Sequence, residues 1–588
     1  MRLQNAKAKL GQVILLMMLP INILVAEEAQ FNLDVKVEGV NGPLAENVLA
    51  RLSIERLRKQ KSPSKQLVRS AHRKAEQEIK LALQPFGFYQ PAILSELEKD
   101  KASWKARYQI TLGTQTRVSK LDVQILGPGK NDQAILEALK ANRIPIGQPL
   151  LHSNYERLKS GLYDSAYDRG YIEAKFTRSQ LAVTPASDSA EVYLYLDTGP
   201  RYFFGPTVIE QEILSKEFVQ RYVPFKQGEP FSTKQLLKLK FNLDDTGYFA
   251  EVDVQPQYKQ KQDNQIPIRV KTTARKPRKY SVGAGFGTDT GPRGRLGVEF
   301  RRVGTEGHKI TSDLRASAIE QEFLTQYTIP IYNVFQDRLV FFGRASQEDV
   351  AEGDGDSTVL AIGANQDVGW HGWRRRTYIT LNYDDFSIGN ESDTATFLTP
   401  GISLTRTQTD KPLFTKKGYR LGFDIHGAQQ GLLADTSFLK TSANAAAVYS
   451  WSDKGRFLVK TEIGAVSVTA LDELPLSERF FAGGDRSVRG YDYESLGDRD
   501  SSGENIGGRY LYTGSLETDY LFYKQFGGAL FIDAGNAVNE FDIDPEIGTG
   551  FGFRWASPVG MLRLDLAWPV NSDEASGVRL HISIGPDL

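Results

Sequence analysis

The sequence has no cysteine among its 588 residues, which excludes disulfide bonds, thiol nucleophiles and cysteine-ligated metal sites. It also lacks an excess of charge of either sign, because 72 Lys and Arg residues balance 72 Asp and Glu residues. A basic surface for nucleic acid is therefore not expected. The six histidines are scattered, and no two are four residues apart as a helical metal site would need. We predict no metal, no other cofactor and no nucleic-acid partner.

Long apolar runs are also missing, since no stretch of about 18 apolar residues follows the N-terminal segment. The chain is therefore not expected to contain a helical membrane span. The N-terminal segment, residues 1–26, places Arg2, Lys7 and Lys9 before a shorter apolar run at 13–25. This order is typical of a secretory signal peptide, and a buried N-terminal helix is the alternative. The mature chain is then expected to be either soluble or a β-barrel.

A glycine followed by an aromatic residue recurs in the first half of the chain. Gly87, Gly170 and Gly247 carry this pattern and lie 83 and 77 residues apart. A second marker, Gly-x-Pro, occurs at 147–149 and 228–230 and begins a helical pattern each time. Each repeat has the order strand, helix, helix, Gly-aromatic turn and two strands, and glycine suits the turn because it accepts a positive φ. The repeats predict three α+β domains, at residues 29–113, 114–199 and 200–274.

The second half of the chain, residues 277–588, consists of short strand patterns separated by polar turns. Near its end, Leu562 and Leu564 alternate with Arg563 and Asp565, so one face is apolar and the other polar. A soluble β-sandwich would show the same period of two. Sixteen candidate strands, an even number, favour a 16-stranded antiparallel transmembrane β-barrel. Among its last five connections, the three long ones fall on the external side, as such a barrel requires.

The longest connection of this barrel, the eleventh, contains four successive residues of interest: Val488, Arg489, Gly490 and Tyr491. In the two strands that follow, the alternation places Glu517 and Asp533 on the lumen side. A turn centred on Gln525 would place these carboxylates nearly opposite each other, where like charges repel unless a cation lies between them. The planar guanidinium of Arg489 is suited to bind both. We therefore predict that the loop folds back into the barrel; the alternative is an exposed loop arginine above two solvated acids.

Two short motifs imitate cofactor sites. The stretch GAGFGTDTG at 283–291 resembles a dinucleotide fingerprint, but it lies in a strand pattern and no helix follows it. The stretch GDGDS at 353–357 lacks the rest of a calcium-binding loop. We therefore predict that the protein is not an enzyme.

Four segments together resemble the sequence marks of a known superfamily. They are SVRGY at 487–491, SLE at 515–517, FIDAG at 531–535 and GFGFRWASPVGMLRLDLAWPV at 550–570. They are similar to the outer-membrane assembly and two-partner secretion proteins, in which periplasmic POTRA domains precede a barrel. The three α+β repeats resemble POTRA domains, which present sheet edges to partner strands; simple spacers are the alternative. Three such domains make the chain similar to the TamA family, the outer-membrane subunits of the translocation and assembly module.

The resemblance implies specific contacts and partners. Arg489 would contact Glu517 and Asp533 on strands twelve and thirteen, and Phe531 and Gly535 would belong to the strand-thirteen motif. The protein would lie in the Gram-negative outer membrane with its POTRA domains in the periplasm. It would assemble β-barrel clients such as autotransporters, in contact with outer-membrane lipid and with an inner-membrane-anchored TamB-like subunit.

The mechanism we expect uses a seam between the first barrel strand, 280–287, and the last, 578–585. The seam residues are Tyr280, Val282, Gly283, Gly285, Leu580, Ile582 and Ile584. A cysteine pair such as Val282 and Ile582, chosen once the register is known, would lock the seam. The glycines reduce packing there and favour bending. The alternative function is a two-partner-secretion-type pore that exports a polypeptide through the lumen. A diffusion porin would leave the three POTRA-like repeats unexplained.

Overall fold

The computed structural model describes residues 32–588 except 59, 61–62, 101–102, 351–353, 390, 412, 559, 571–576, 586 and 588. The predicted signal peptide, residues 1–26, lies outside the described residues. Among the helices that are described, none has the length and apolar character needed to cross a bilayer.

Each of the three repeats forms a three-stranded sheet with its last strand in the middle. The first repeat contains β1 (Asn32–Glu38), α1 (Gly42–Arg51), α2 (Ser53–Leu57), α3 (Lys65–Leu83), β2 (Ala92–Asp100) and β3 (Ser103–Thr111). The second contains β4 (Arg117–Leu126), α4 (Gln133–Ala141), α5 (His152–Asp168), β5 (Lys175–Thr184) and β6 (Ser189–Asp197). The third contains β7 (Phe203–Glu210), α6 (Lys216–Gln220), α7 (Thr233–Asp244), β8 (Phe249–Pro256) and β9 (Gln265–Ala274). The predicted α+β order is confirmed, with one extra helix in the first repeat because the extended backbone of Leu52 ends α1 early.

The cores of these repeats follow from simple periodicities. In α3 the buried residues recur three or four positions apart, as expected for a helix with one apolar face, until two adjacent ones at its end. They are Val68, Ala71, Ala75, Ile79, Ala82 and Leu83. They pack in one cluster with alternate residues of β3: Trp104, Ala106, Tyr108 and Ile110. One helix face therefore covers one face of the sheet.

The Gly-aromatic turns lie at the junctions between successive repeats. Gly87 and Gly170 have φ values of 86° and 90°, a region that favours glycine. A Cβ atom at Gly87 would overlap the carbonyl oxygen of Leu150, and one at Gly170 would lie against that of Phe231. Leu150 and Phe231 each follow a Gly-x-Pro marker. The two repeat markers therefore meet, because close backbone contact at the junction requires glycine.

The third Gly-aromatic turn contacts the barrel instead of another repeat. The hydroxyl of Tyr248, which follows Gly247, donates a hydrogen bond of 2.6 Å to the carbonyl oxygen of Gly307. The Tyr248 ring also packs edge-on against Phe218 of α6. Burial raises the pKa of the Tyr248 phenol, so it remains a hydrogen-bond donor.

Sixteen consecutive strands form one antiparallel sheet. They are β10 (Arg278–Gly287), β11 (Gly291–Val303), β12 (His308–Ala316), β13 (Glu320–Pro330), β14 (Arg338–Val350), β15 (Gly355–Trp370), β16 (Trp373–Ile388), β17 (Glu391–Thr409), β18 (Lys417–Ala428), β19 (Phe438–Ser450), β20 (Gly455–Val468), β21 (Tyr510–Tyr523), β22 (Phe526–Val538), β23 (Glu546–Ser557), β24 (Gly560–Pro569) and β25 (Arg579–Gly585). The predicted 16-stranded barrel is confirmed.

The burial pattern of the barrel is the inverse of that in a soluble sandwich. In β22, Leu530 and Ile532 are 64% and 47% exposed on the outside, whereas Asp533 is 1% exposed on the inside. A sandwich would bury the apolar face and expose the acid. The outer surface therefore suits lipid. The burial of the polar face decides between the soluble sandwich and the transmembrane barrel, which the alternation alone could not distinguish.

Candidate functional site

The connection between β20 and β21, residues 469–509, is called loop six here and folds into the lumen. The wall that it contacts includes Phe386, Phe397 and Phe438. The buried apolar residues that loop six contributes are Leu474, Leu476, Phe480, Ala482, Val488, Tyr491 and Leu496. Each fully buried side chain of this kind contributes about 1.5–3 kcal/mol. Apolar packing therefore holds the loop inside the barrel independently of its charges.

Arg489 lies at the centre of a buried group of acids. Its Nε donates to Oδ2 of Asp533 at 2.7 Å, and its Nη2 donates to Oδ1 of the same carboxylate at 3.0 Å. Its Nη1 donates to Glu517 and to Asp565, each at 2.9 Å. The guanidinium also lies 3.5 Å from the centre of the Phe531 ring. The predicted contacts of Arg489 with Glu517 and Asp533 are thus present in the structure, and Phe531 completes the binding surface for the cation.

A second guanidinium completes this charge network. Arg554 on β23 donates from Nε and Nη2 to Oε1 of Glu517 at 3.0 and 2.8 Å. Its Nη1 donates to Oδ1 of Asp565 at 2.5 Å. Glu517 and Asp565 are therefore each shared by two cations, and their like charges are compensated away from bulk water. Neither Arg554 nor Asp565 was predicted as a site residue, although Asp565 occupies a polar position of the alternating pattern in β24.

The register of β21 and β22 predicted from the sequence was wrong by two residues. Glu517 lies opposite Phe531, and Asp533 lies opposite Ser515. The hairpin turn falls at residues 524–525, and a register irregularity between Tyr520 and Tyr523 shifts the pairing. Glu517 and Asp533 are therefore diagonal neighbours, and both still face the lumen because side chains alternate along each strand.

The residues around Arg489 bring the loop backbone close to the barrel wall. Gly490 has φ 100°, and a Cβ atom there would meet the backbone of Trp568 at 2.9 Å. The hydroxyl of Tyr491 donates to Glu546 at 2.6 Å. Gly535 is needed on β22 because a Cβ atom would lie 2.5 Å from the carbonyl oxygen of Tyr512. The loop motif and the strand-thirteen motif therefore both serve close packing around the buried ion network.

The predicted seam residues lie on the two edge strands of the sheet. In the described part of the chain, no backbone ladder joins β10 to β25. Four of the predicted seam residues have exposed apolar side chains: Tyr280, Val282, Leu580 and Ile584. Gly283 and Gly285 pair with Arg295 and Arg293 of β11, on the other side of β10.

The register across the seam, which the sequence left open, does not place Val282 opposite Ile582. The backbone N–H of Ile582 donates to Oγ1 of Thr288 at 3.0 Å, beyond the outer end of β10. A Cβ atom on Gly287 would lie 4.0 Å from the carbonyl oxygen of Ile582. The last strand is therefore displaced toward the outer end of the first, a shift that the alternating pattern of either strand cannot reveal.

Asp289, Asp485 and His581 bring three potential metal-ligand atoms within 4.8 Å of one another. Both imidazole nitrogens of His581 already have partners, however. Nε2 accepts the backbone N–H of Gly490 at 3.0 Å, and Nδ1 lies 2.6 Å from a carboxylate oxygen of Asp485. Because an N–H group can only donate, Nε2 is the acceptor and Nδ1 carries the proton given to Asp485. A metal ion would have to displace one of these bonds, so the geometry supports a hydrogen-bond network.

Comparison with known proteins agrees with this architecture. Residues 303–587 match the Omp85 superfamily domain, residues 34–112 match the POTRA domain described as TamA domain 1, and residues 202–274 match a POTRA model described as a surface antigen variable number repeat. The outer membrane protein assembly factor BamA of Nitratidesulfovibrio vulgaris is 27% identical over 395 residues, or 62% of this chain and 49% of that protein. A SAM50-like protein of Schizosaccharomyces pombe is 25% identical over 235 residues, or 37% of this chain and 49% of that protein.

A solved structure shows the same fold. The crystal structure of BamA from Haemophilus ducreyi lacking POTRA domains 1–3 superposes with a TM-score of 0.69 at 14% identity, covering 80% of this chain and 99% of that one. The chain spans about half the length of the curated relatives named above.

The fold, the outward apolar face and the loop buried in the lumen define an outer-membrane β-barrel preceded by POTRA domains, which lie on the periplasmic side. The barrel region, residues 303–587, matches the Omp85 superfamily domain, and an outer membrane protein assembly factor is among the proteins to which this chain is similar.

Proposed function

We propose that this protein assembles other β-barrel proteins in the outer membrane by accepting client strands at the seam between β10 and β25. Within the superfamily, the match of residues 34–112 to a TamA POTRA domain and the three α+β repeats support a TamA-like subunit. Its partner would be an inner-membrane-anchored TamB-like subunit, and its clients would include autotransporters.

The single observation that carries this proposal is the unpaired edge of the barrel sheet. β10 and β25 are its terminal strands, and their described backbone groups form no ladder with each other. Unsatisfied backbone groups are costly in lipid, whereas an incoming strand can satisfy them by adding to an edge. A client could therefore begin to pair with the seam while it enters the membrane.

The packing of loop six favours a lateral route over an axial one. Arg489 and the apolar residues of loop six are buried against the inner wall, in the space that a polypeptide passing along the barrel axis would occupy. Moving the loop would break a buried ion network, and leaving buried charges unpaired costs several kcal/mol. Lumen conduction, the alternative function, therefore requires a larger rearrangement than seam opening.

A disulfide across the seam tests the proposal. Thr288 and Ile582 should be replaced by cysteine, because Oγ1 of Thr288 lies 3.0 Å from the backbone nitrogen of Ile582. The native chain has no cysteine that could compete. We expect the oxidised variant to lose assembly of a client barrel and the reduced variant to regain it.

The matched control is a cysteine pair at Leu360 and Tyr383, which lie opposite each other on β15 and β16, away from the seam. Oxidation of this pair should leave assembly unchanged. Full activity of the protein locked at Thr288 and Ile582 would contradict the lateral route and favour the lumen pore.

A further inference from the structure

Loop six contacts both edges of the seam at a position separate from Arg489. The carboxylate of Asp485 accepts hydrogen bonds from the Thr288 hydroxyl at 3.0 and 3.2 Å. On the other side it accepts from Nδ1 of His581 at 2.6 Å. Thr288 follows the first barrel strand and His581 lies in the last. A single loop carboxylate therefore bridges the two strands.

Thr288 also joins the strands directly. Its hydroxyl donates to Asp485 and accepts the backbone N–H of Ile582 at 3.0 Å. A hydroxyl can perform both roles, because it has one proton and two lone pairs. Thr288 thus satisfies an edge N–H that would otherwise lack a strand partner.

Loop six holds the two strands unequally. On β25, Arg579 forms an ion pair with Asp492 and donates to the carbonyl oxygen of Gly490 at 2.9 Å. His581 adds its bonds to Gly490 and Asp485, and its side chain is buried. The last strand is therefore attached to loop six through charged and buried groups.

The first strand has weaker attachments to the same loop. Besides the neutral Thr288 hydroxyl, Asp289 accepts the backbone N–H of Asp485 at 2.7 Å. This bond brings two carboxylates together, and burial, followed by the negative charge of Asp485, raises the pKa of Asp289 to about 6. Repulsion between the acids therefore opposes the contact on the side of β10.

We propose that Thr288 and Asp485 form a latch that holds the outer end of the seam closed, and that the seam opens by release of β10 from loop six while β25 stays attached to the loop. The inference rests on the proposed lateral function, because it concerns the opening that a client would need. The latch itself is a property of the protein without a client, so it can be tested separately from assembly.

The test is a distance measurement across the seam in the purified full chain. Cysteines at Phe286 and Ile584, whose side chains are exposed, would carry spin labels in a protein that has no native cysteine. Thr288→Val removes the hydroxyl with little change in volume. Because the hydroxyl makes two hydrogen bonds, we expect the ratio of open to closed seam to rise by about 4- to 100-fold, the square of the roughly 2- to 10-fold change expected for one net hydrogen bond.

Thr290→Val is the matched control. The Thr290 hydroxyl is two positions away and buried, and it has no hydrogen-bond partner among the described residues. Its removal should leave the distance distribution as in the wild type. An unchanged distribution in Thr288→Val, or an equal shift in both variants, would overturn the latch.

A second variant separates the latch from a general loss of folding. Asp485→Ala should open the seam in the same direction as Thr288→Val. The double variant should open it by less than the two single effects combined, because each single variant already lacks the bond between Thr288 and Asp485. Coupling between the two substitutions is expected because they share one bond. Strict additivity of the two effects would contradict the proposal.

The latch and the proposed function fail in different ways. If the wild-type protein assembles no client barrel while the seam distances still shift in Thr288→Val, the proposed function is refuted and the latch stands.

The attachment of loop six to β25 is tested with a third label position. A label at Arg486, an exposed loop residue, should keep its distance to Ile584 when the seam opens and change its distance to Phe286. The opposite result would show that the loop moves with the first strand and would overturn this part of the inference.

Discussion

Asp533 receives three hydrogen bonds from a single residue, Arg489. Two come from the guanidinium, at 2.7 and 3.0 Å, and the third comes from the backbone N–H at 3.1 Å. The two guanidinium bonds specify the orientation of the Arg489 side chain, and the backbone bond specifies the position of the loop. A lysine could supply the charge but could not reproduce this geometry.

Arg489→Ala should destabilise the barrel. The substitution leaves Asp533 without a cation and removes one of two cations from Glu517 and Asp565, so we expect a loss of about 3 kcal/mol. The measurement is the temperature at which the folded form is lost on a gel, together with client assembly. Arg486→Ala is the control, because Arg486 lies in the same loop and is exposed. Wild-type behaviour of Arg489→Ala in both assays would contradict a structural role for the network.

Asp533→Asn should partly restore the stability of Arg489→Ala. The damage in the single variant arises from a buried carboxylate without a partner, and an amide carries no charge to compensate. In the wild-type background the same Asp533→Asn change should destabilise, because it weakens the bonds to Arg489. The four proteins form a double-mutant cycle that is read by thermal unfolding. A destabilising effect of equal size in both backgrounds would refute the pairing.

Arg554→Met should destabilise the barrel even though Arg554 lies outside the loop motif. Its guanidinium is fully buried between Glu517 and Asp565, and methionine retains much of the apolar volume while removing the charge. We expect a loss of about 3 kcal/mol. Arg293→Met, a barrel arginine whose side chain is exposed, is the control. Equal stability of the two variants would show that Arg489 alone neutralises the acids.

The contact between loop six and the first strand should be stronger near pH 5 than near pH 7.5. The pKa of Asp289 is raised to about 6 from 3.8, so the closed form binds more protons than the open form in this interval. The closed form therefore becomes more stable relative to the open form as pH falls through 6 toward 4. Asp485 and His581 are the titratable groups that face Asp289. The seam distances should report the change.

Asp289→Asn is the control for this pH effect, because asparagine keeps an acceptor for the Asp485 N–H and cannot titrate. The variant should lose the tightening between pH 7.5 and 5. The same pH response in both proteins would assign it to another group.

Deletion of residues 29–113, the first predicted POTRA domain, should abolish binding of a TamB-like partner and leave a folded barrel. The first repeat has its own hydrophobic cluster, so its removal leaves the core of the barrel unchanged. Co-purification measures partner binding, and heat resistance on a gel reports the barrel. A variant that still co-purifies with the partner would show that another repeat forms the docking site.

Some of the site followed from sequence patterns for a local reason. Alternation along a strand is a property of neighbouring residues, so Asp533 could be assigned to the lumen face before any partner was known. Repulsion between the two lumen acids then pointed to Arg489 as their cation, and the resemblance implied the same contacts with Glu517 and Asp533. The Gly-aromatic repeats were visible because each turn needs a positive φ that favours glycine.

Other contacts depended on how distant strands are placed against one another. The pairing irregularity near Tyr520 shifted Glu517 to a position opposite Phe531, and Arg554 became a second cation because β23 lies next to β22. The meeting of Thr288 with Ile582 joins residues that are 294 positions apart. The sequence by itself determined which side chains face the lumen, because alternation is local. Only the tertiary structure decided which of them meet, because the register of the strands and the course of loop six depend on the whole barrel.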